Sequence, residues 1–577
     1  MKKLALICSA FISALLIFAF THTKIFPKKF DVDAYKAKAL IRCSPDWSTL
    51  SAMLDEMDIP PMPDAGIYKW KIETTNDSAQ FYFNQGINMY YGFHIIEALA
   101  SFKKAAKFDA DNPLIWWAQA LSYGPNINDV GYSVAAESLE AVQKATSLSM
   151  NGTSIEKALI AAMSKRYSAD STQTREKLNQ GYVDAMQNLY KQYADHPDIA
   201  ALYADALMLQ HPWDLWNNNG TPKSWTPLIR SVLEKLLAMT PNHPGANHYY
   251  IHVMEPSPFA AYALPSADRL GKLTPGLSHM VHMPSHIYLR TGQYNEGINV
   301  NETAVKRYNQ YSTLFPAVQQ NAFLYQFHNQ HMQVNSALMA GRYTYAIEWA
   351  LELQKSLDTS MLSLPAPFGP AVQYIYMTPT LINIHFGKWD SLLQMKKPAD
   401  HHVYANVIYH FGKGMSDAAT HNIAKAKGHL LLLQNLMDDT SLTLPFGPFS
   451  PPVEAAKVAN ELLHGFMLMK ENNLQEAIIH FSKAASIEEK MVYNEPRDWL
   501  LNPKQYLGAA YVEAKQWGNA ENTFKKDLNQ NAQNVWSLFG LHQALMAQNK
   551  KIEANIIKRQ WEIATEKSDV KFTKLFF

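Results

Sequence analysis

The chain is nearly free of cysteine, with Cys8 and Cys43 as the two cysteines among 577 residues. Cys8 lies inside an N-terminal apolar segment, so a mature chain without that segment retains Cys43 alone. A single cysteine cannot form an internal disulfide. Stability must therefore come from packing, which is compatible with an oxidising compartment but does not require one.

An excess of charge of one sign is also lacking. Lysine and arginine together number 52 and aspartate and glutamate 51, which gives a formal net charge of +1. A chain without a basic excess has no general electrostatic attraction to nucleic acid or to an acidic membrane surface. Apolar residues make up 47% and charged residues 18% of the chain, as in ordinary folded proteins.

Motifs of several common enzyme classes are missing. The sequence has no Gly-rich phosphate loop, no G-x-S-x-G nucleophile motif and no C-x-x-C pair. The metalloprotease motif H-E-x-x-H is absent as well, because His248 and His252 are separated by Tyr249, Tyr250 and Ile251. The chain therefore lacks the best-known sequence signatures of nucleotide-binding proteins, serine hydrolases and zinc proteases.

Alternating strand patterns of useful length are absent too, whereas a helical repeat is present. From Tyr82 the sequence YFNQGINMYYGFHIIEALASFKKA matches a tetratricopeptide (TPR) unit. Such a unit is a helix–turn–helix of 34 residues, with small side chains where the helices cross and large ones between them. Gly86, Ala98, Phe102 and Ala105 occupy the small, small, aromatic and small positions.

The same pattern recurs along the chain. Two units lie near the C-terminal end, and their matching positions are Gly465, Ala477, Phe481 and Ala484, followed by Gly508, Tyr511, Ala520 and Phe524. Weaker units begin around Gly292 and Gly341. The repeats predict an all-α fold, a TPR-type superhelix of helical hairpins (an α-solenoid) with Pro-rich loop insertions.

Two Pro-rich stretches interrupt the repeats, 364–370 (LPAPFGP) and 444–452 (LPFGPFSPP). Proline lacks the amide donor and disfavours helix at the residue before it, so both stretches are predicted loops. Their similar sequences suggest related loops that face the same side of the superhelix. The predicted organisation is a signal segment at 1–21, an irregular arm at 22–75, a TPR array at 76–360, a central helical segment at 361–452 and a second TPR array at 453–577.

The N-terminus has the pattern of an export signal. MKKLALICSAFISALLIFAFT places two lysines before an apolar run from Leu4 to Phe20. No A-x-A cleavage site follows, so the segment is either removed or retained as a short anchor in the inner membrane. Either alternative predicts a periplasmic or secreted protein, without further membrane contact.

Histidine is concentrated in the middle of the chain. Of its 21 histidines, eight fall between residues 243 and 331, namely His243, His248, His252, His279, His282, His286, His328 and His331. On a helix, His248, His252 and Glu255 are spaced i, i+4, i+7 and share one face. Pro284 belongs in a first helical turn. We therefore expect a helix to begin near Met283, with His279 and His282 on the turn before it and His286 inside it.

Clustered imidazoles with a carboxylate suit a transition metal ion, with Zn, Cu and Fe as candidates. We predict that the metal ligands are His248, His252, Glu255, His279, His282 and His286. His328 and His331 are either further ligands or outer partners, and Asn329 is placed to orient an imidazole. His243 precedes Pro-Gly and is predicted to cap a helix or lie in a loop. The competing interpretation is a polar stripe that joins neighbouring helices by hydrogen bonds.

Four segments resemble a family of exported bacterial TPR proteins. They are NHPGANHYYIH, HMVHMPSHIYLRTGQY, YNEPRDW and NVWSLFGLHQAL, and the resemblance extends from about Asp77 to the C-terminus. It implies the TPR fold and export, but no reaction. Two residues outside the His-rich segment, Glu495 in YNEPRDW and His410, are weaker candidates that superhelical curvature could bring to the site.

Two functions are compatible with the sequence. In the first, the His-rich segment holds a transition metal, and the protein is a metal-dependent hydrolase or oxidoreductase that acts on a peptide or a small polar substrate. In the second, the concave surface binds a peptide or protein partner and the histidines are structural. Neither function involves nucleic acid.

Overall fold

The computed structural model describes residues 47–129, 132, 134–318, 323–573 and 575. These residues form α-helices and short 3-10 helices, and they contain no β-strand. The predicted all-α class is confirmed. The predicted signal segment and the arm up to residue 46 lie outside the described residues. Within the remainder of the arm, Trp47–Glu56 form a helix, and residues 57–76 contain neither helix nor strand.

Twenty-seven α-helices are numbered here in chain order over the described ranges. Helices α1 to α13 are Trp47–Glu56, Asp77–Tyr91, Ile95–Phe108, Pro113–Ser122, Ala136–Leu148, Ser154–Met163, Arg175–Gln192, Pro197–Leu209, Thr226–Met239, Pro244–Met254, Leu264–Leu273, Ser278–His282 and Pro284–Thr291. Helices α14 to α27 are Tyr294–Leu314, Phe323–Met339, Tyr343–Ser356, Phe368–Tyr376, Thr378–His385, Trp389–Leu393, Val403–Ala419, Ile423–Leu436, Pro452–Lys470, Leu474–Glu488, Pro503–Glu513, Trp517–Gln530, Val535–Ala547 and Lys551–Ala564.

Helix starts follow local sequence signals. At the start of α4, Oδ1 of Asn112 accepts hydrogen bonds from the amides of Leu114 and Ile115, and Pro113 occupies the first helical position. Asn502 and Pro503 begin α24 in the same way. The asparagine satisfies amides that have no partner inside the helix, and the proline has no amide to satisfy.

The TPR positions pack as the sequence predicts. A Cβ atom added to Gly86 would lie 2.5 Å from the ring of Phe102, and one added to Gly465 would lie 2.7 Å from the ring of Phe481. Each glycine therefore provides the space that an aromatic ring of the next helix fills. Ala98 is fully buried in the same hairpin. Consecutive helices pair along the chain, including α2 with α3, α14 with α15 and α22 with α23. This packing is that of a TPR-type α-solenoid.

Phe524 offers the most direct test of this packing. Its ring fills the spaces over Gly508 and Gly540 and is fully buried. Phe524→Ala is expected to lower the free energy of unfolding by about 3–5 kcal/mol, because it removes buried surface and leaves a cavity. The shift is measured by urea unfolding followed by circular dichroism. Phe81, which is 47% exposed, is the matched control. Equal losses in Phe524→Ala and Phe81→Ala would contradict the packing.

The first Pro-rich stretch is shorter as a loop than predicted. Helix α17 begins at Phe368, so residues 368–370 are helical although the sequence predicts a loop through 370. Pro370 is tolerated there because the first turn of a helix needs no amide donor at that position. The second stretch is a loop up to Pro451, and its last residue, Pro452, occupies the first helical position of α22.

Two large apolar cores meet in the middle of the chain. Tyr288 belongs to the first core, which begins at Trp47, and Leu289 belongs to the second, which extends to Trp536. Helix α13 carries both Tyr288 and Leu289. The His-rich segment therefore lies at the junction of the two cores.

Candidate metal centre

Three parts of the chain carry the predicted ligands. Helix α10 carries His248 and His252 one turn apart, and Glu255 follows its last residue. Helices α12 and α13 are separated by Met283, as predicted, and carry His279 and His282 on the first and His286 on the second. Helix α15 carries His328 and His331. The structure brings all of them except His331 into three groups of closely spaced side chains.

The first triad consists of His248, His252 and His279. The Nε2 atom of His248 lies 3.0 Å from Nε2 of His252 and 3.2 Å from Nε2 of His279. All three side chains are buried. The ring of Phe93 packs against the triad, with its centroid 4.5 Å from that of His248. The Nε2 atoms of His248, His252 and His279 therefore lie close together, and the ring of Phe93 covers one side of the triad.

The second triad consists of His282, His286 and His328. The Nε2 atom of His282 lies 2.8 Å from Nε2 of His286 and 3.1 Å from Nε2 of His328. His282 and His286 are buried and His328 is partly exposed. The sequence analysis left the role of His328 open, and the structure places its ring beside the two predicted ligands.

The two triads are neighbours. The ring centroids of His279 and His282 are 6.0 Å apart, and those of His252 and His286 are 6.4 Å apart. No residue is shared between the triads. The arrangement can therefore hold two ions side by side.

In His248 and His282, hydrogen bonds at Nδ1 determine which ring nitrogen carries the proton. Nδ1 of His248 lies 2.6 Å from the carbonyl oxygen of Tyr91, which can only accept. Nδ1 of His282 lies 2.6 Å from Oδ1 of Asn301, and Nδ2 of Asn301 donates to the carbonyl of Gly297. Both histidines must donate through Nδ1–H, so a neutral ring carries a bare lone pair on Nε2.

His252 is held in the same tautomer. Its Nδ1 lies 3.1 Å from Oε1 of Glu255, which accepts from Nδ1–H. The Nε2 atoms of His248 and His252 thus point bare lone pairs at each other across 3.0 Å. No hydrogen bond joins two such nitrogens in neutral rings, because neither carries a proton. A cation between them would convert this repulsion into attraction.

Two carboxylates contact the second triad at Nδ1 of His286. Nδ1 of His286 lies 2.7 Å from Oε2 of Glu255 and 3.0 Å from Oε2 of Glu495. Burial alone would lower the pKa of His286, but the two carboxylates outweigh it and raise this pKa above its ordinary value. Glu255 touches one histidine of each triad through its two oxygens. Glu495, from the YNEPRDW segment, stands outside the predicted ligand set, but it is one of the two remote candidates that the sequence analysis names. Asn301 and the carbonyl of Tyr91 are the partners of the triads that the prediction missed.

Four other imidazoles of the triads favour the neutral form. Burial lowers the pKa of His248, His279, His282 and His328 well below the ordinary value, and neighbouring histidines lower it further. Neutral imidazole is the form that binds metal ions. Burial also raises the pKa of Glu495.

Four residues named in the sequence analysis lie outside the two triads. Nε2 of His331 lies 3.2 Å from the hydroxyl of Thr378, outside both triads. Nδ2 of Asn329 donates to Oγ of Ser278 at 3.3 Å instead of orienting an imidazole. His243 caps the N-terminus of α10 by accepting from the amide of Ala246, as predicted. His410 pairs with His429 in α20 and α21 and belongs to none of the three groups found among the described residues.

A cavity of about 320 Å³ adjoins both triads. His252 and His279 of the first triad and His286 and His328 of the second line one side of it. The other lining residues include members of both Pro-rich stretches: Pro367 and Phe368 from the first, and Phe446, Pro448 and Phe449 from the second. The two stretches therefore face the same side of the solenoid, as their similar sequences predict.

Comparison with known proteins adds little about function. A scan against protein-family models matched none, and a search of curated proteins found no match. Among solved structures, a human IFIT1 dimer with m7Gppp-AAAA shows 13% identity and a TM-score of 0.31 over 93% of this chain and 96% of that one. Yeast Tom70 shows 10% identity and a TM-score of 0.27 over 85% and 92%.

The TPR domain of P58(IPK) is a third similar structure, with 12% identity and a TM-score of 0.21 over 82% of this chain and 99% of that one. Scores this low carry nothing about ligands or partners. The assignment to a TPR-type solenoid rests on the glycine–phenylalanine packing inside this chain. Within the described ranges, none of the helices has both the length and the apolar content that a bilayer crossing requires.

Proposed function

We propose that this protein binds two transition metal ions, one in each histidine triad, at the base of the cavity. The observation that carries the proposal is the facing pair of Nε2 atoms on His248 and His252. Both rings are held in the tautomer that presents a lone pair, and their nitrogens are 3.0 Å apart. A metal ion between them would bind both lone pairs.

The distances between nitrogens support this proposal. Imidazole nitrogens bound at about 2.0–2.1 Å from one ion lie about 2.8–3.4 Å apart for ligand angles between square and tetrahedral. The directly facing pairs in the first triad are 3.0 and 3.2 Å apart, and those in the second are 2.8 and 3.1 Å apart. Small adjustments of the rings would therefore suffice to bind an ion in each triad.

The acceptors on Nδ1 support it as well. Histidines that bind metals usually donate the other ring N–H to a carbonyl or a carboxylate, which fixes the ring and strengthens Nε2 as a ligand. Tyr91, Asn301 and Glu255 supply such acceptors. We therefore propose Glu255 as an outer acceptor shared by both triads, in place of the metal ligand that the sequence predicts.

Copper is the metal we propose first. Each triad offers three imidazoles and no thiolate or carboxylate, and imidazole sites suit Cu, Zn, Fe and Ni. Among divalent ions of this series, affinity for such a site is greatest for copper. Three ligands leave a coordination position for water, dioxygen or substrate, which would allow hydrolytic or oxidative catalysis at the cavity.

We also propose that the protein works in the periplasm or outside the cell.

Elemental analysis of the native protein tests the proposal. The protein is purified from the periplasmic fraction without a metal-affinity column, and about two equivalents of transition metal per chain are expected. Adding metal back to chelator-treated protein at 100 times the dissociation constant should stabilise the fold by about 2.7 kcal/mol for each ion bound, because the ions bind the folded state. Thermal unfolding measures this stabilisation. A metal-free native protein whose unfolding does not respond to Cu, Zn or Fe would refute the metal centre.

The fold favours a second function. TPR-type solenoids present extended concave surfaces that bind peptides and protein partners, and this chain has that architecture over its described residues. In that case the histidines would form a structural network. A protein that contains no metal in the analysis above and co-purifies with a defined partner would favour this binding function.

A further inference from the structure

We infer that the cavity binds a small phenol, with the aromatic ring between the cavity walls and the hydroxyl at the histidine triads. The inference rests on the proposed function, because the hydroxyl oxygen would bind to an ion held by a triad. It adds the class of ligand, which the metal centre alone leaves open.

The cavity lining has two chemically different parts. Four histidines of the triads belong to it, namely His252, His279, His286 and His328. Most of the other lining side chains are aromatic or aliphatic, and nine of them are phenylalanine, tyrosine or tryptophan. A ligand that fills the cavity would therefore meet the metal centre at the histidines and apolar surface over most of its remaining area.

The aromatic walls have room for one substituted ring. Between ring centroids, Trp213 lies 6.0 Å from Phe449 and 5.4 Å from His252. Phe368 lies 5.3 Å from Phe446, edge to face. An apolar cavity of about 150 Å³ accepts benzene, and this cavity has about 320 Å³. A bound ring would gain from edge-to-face and offset contacts with these walls in addition to burial.

Polar groups beside the aromatic walls have partners within the protein. The hydroxyl of Tyr493 donates to the carboxylate of Glu495. The carboxylate of Asp498 accepts from Nδ2 of Asn494 and from the backbone amide of Ser450. The polar group of a ligand would therefore find its strongest partner at the triads, where three imidazoles leave a coordination position open on each ion.

The charge at the triads suits an acidic hydroxyl. Two divalent ions would lie there, and the carboxylates of Glu255 and Glu495 at Nδ1 of His286 offset their charge only in part. A phenol has a pKa of about 10, so it is neutral while it lies among the apolar walls. Bound ions lower the pKa of a coordinated O–H group by several units. The phenol would therefore lose its proton to the solvent when its oxygen binds.

Other ligand classes fit this lining less well. The ions would repel an amine in its protonated form. An aliphatic alcohol has no ring and is a much weaker acid than a phenol. A carboxylate would have to lose the hydration of a full charge among apolar walls, in a cavity that Glu495 and Asp498 also line.

Four probes of matched shape test the inference: p-cresol, 4-methylanisole, 4-methylcyclohexanol and 4-methylbenzoate. Calorimetry measures their binding to the full chain, zinc-loaded or chelator-treated, in two buffers of different ionisation enthalpy so that released protons are counted. p-Cresol is expected to bind the zinc-loaded protein at least about tenfold more tightly and to release about one proton, because its oxygen binds the ion as an anion. 4-Methylanisole, whose oxygen carries a methyl group, should bind both forms equally and release none.

The same measurements can overturn the inference. p-Cresol that binds equally with and without zinc, or that releases no proton, would contradict it. Tighter binding of 4-methylbenzoate than of p-cresol would assign the cavity to a carboxylate instead. 4-Methylcyclohexanol should bind at least about tenfold more weakly than p-cresol, because it lacks both the ring and the acidity. Equal binding of these two would show that the aromatic walls do not select the ligand.

Substitution of Phe449 locates the ring. Phe449→Ala removes part of an aromatic wall and no proposed metal ligand, so the affinities for p-cresol and 4-methylanisole should fall together, by about three- to tenfold, with metal content unchanged. Phe259→Ala removes a ring that is 47% exposed and outside the cavity lining, and it is the matched control. Trp213→Ala is a second wall variant, and thermal unfolding confirms that each variant folds. Unchanged affinities in both wall variants would refute the position of the ring.

The outcomes separate this inference from the metal centre. Two bound ions without any effect on the affinity for p-cresol would leave the proposed function standing and remove the phenol. A native protein that binds no metal would refute the proposed function, and the position of the hydroxyl with it.

Discussion

His248→Ala is expected to release one of the two metal ions and to leave the other in place. His328→Ala should release the second ion and leave the first. The reason is that the two triads share no ligand, although their rings are only 6.0–6.4 Å apart. Losing one of three imidazoles removes a bond to the ion and opens its position to water. Metal content per chain, measured by elemental analysis after dialysis, should fall from about two equivalents to about one in either variant.

The double variant His252→Ala/His282→Ala removes a ligand from each triad and should retain essentially no metal. His410→Ala is the matched control, because His410 is also a largely buried helical histidine with an imidazole neighbour, His429. It should keep the wild-type content. Full metal content in the double variant would contradict the assignment of the triads. Loss of both ions in each single variant would instead indicate one shared site.

Asn301→Leu is expected to weaken binding in the second triad by about 10–100-fold, although Asn301 contacts no proposed ion. Its Oδ1 holds the proton of His282 on Nδ1 and so keeps Nε2 free for the metal. Leucine has a similar volume and offers no acceptor, so the ring could turn or change tautomer. Competition with a chromophoric chelator measures the affinity of each ion.

Asn301→Asp provides the control for this prediction. Aspartate keeps an oxygen beside Nδ1 of His282 and should preserve affinity, although it loses the donor to the carbonyl of Gly297. A structural role alone would predict that both variants lose affinity in step with their loss of stability. Weak binding in Asn301→Leu together with tight binding in Asn301→Asp would establish positioning by the acceptor. Equal affinity in the two variants would contradict it.

The fold was predictable because repeats place the same residue types at fixed intervals. Gly86 with Phe102 and Gly465 with Phe481 are local pairs within one hairpin, so their contact follows from spacing alone. The break before Pro284 follows from the restricted backbone of proline. The spacing of His248 and His252 likewise placed both on one face of a helix.

The division of the histidines into two triads could not be predicted in this way. It depends on how α10, α12, α13 and α15 cross, and helical spacing says nothing about crossing angles. Glu495 contacts His286 from a distant part of the chain, the loop between α23 and α24. Asn301 and the carbonyl of Tyr91 act through single hydrogen bonds from other helices. A backbone carbonyl in particular cannot be singled out from the sequence, because every residue has one.

The meeting of the two apolar cores at α13 has a mechanical consequence. His248, His252 and His279 lie on helices of the first core, whereas α15, which carries His328, contributes Met332 and Val334 to the second. An ion in the second triad would join α12 and α13 to α15, and would therefore add a direct link between the two halves, which α13 and α14 already connect through the chain. Occupancy would make the halves unfold together, so the cell's supply of metal would govern how stiff the whole superhelix is.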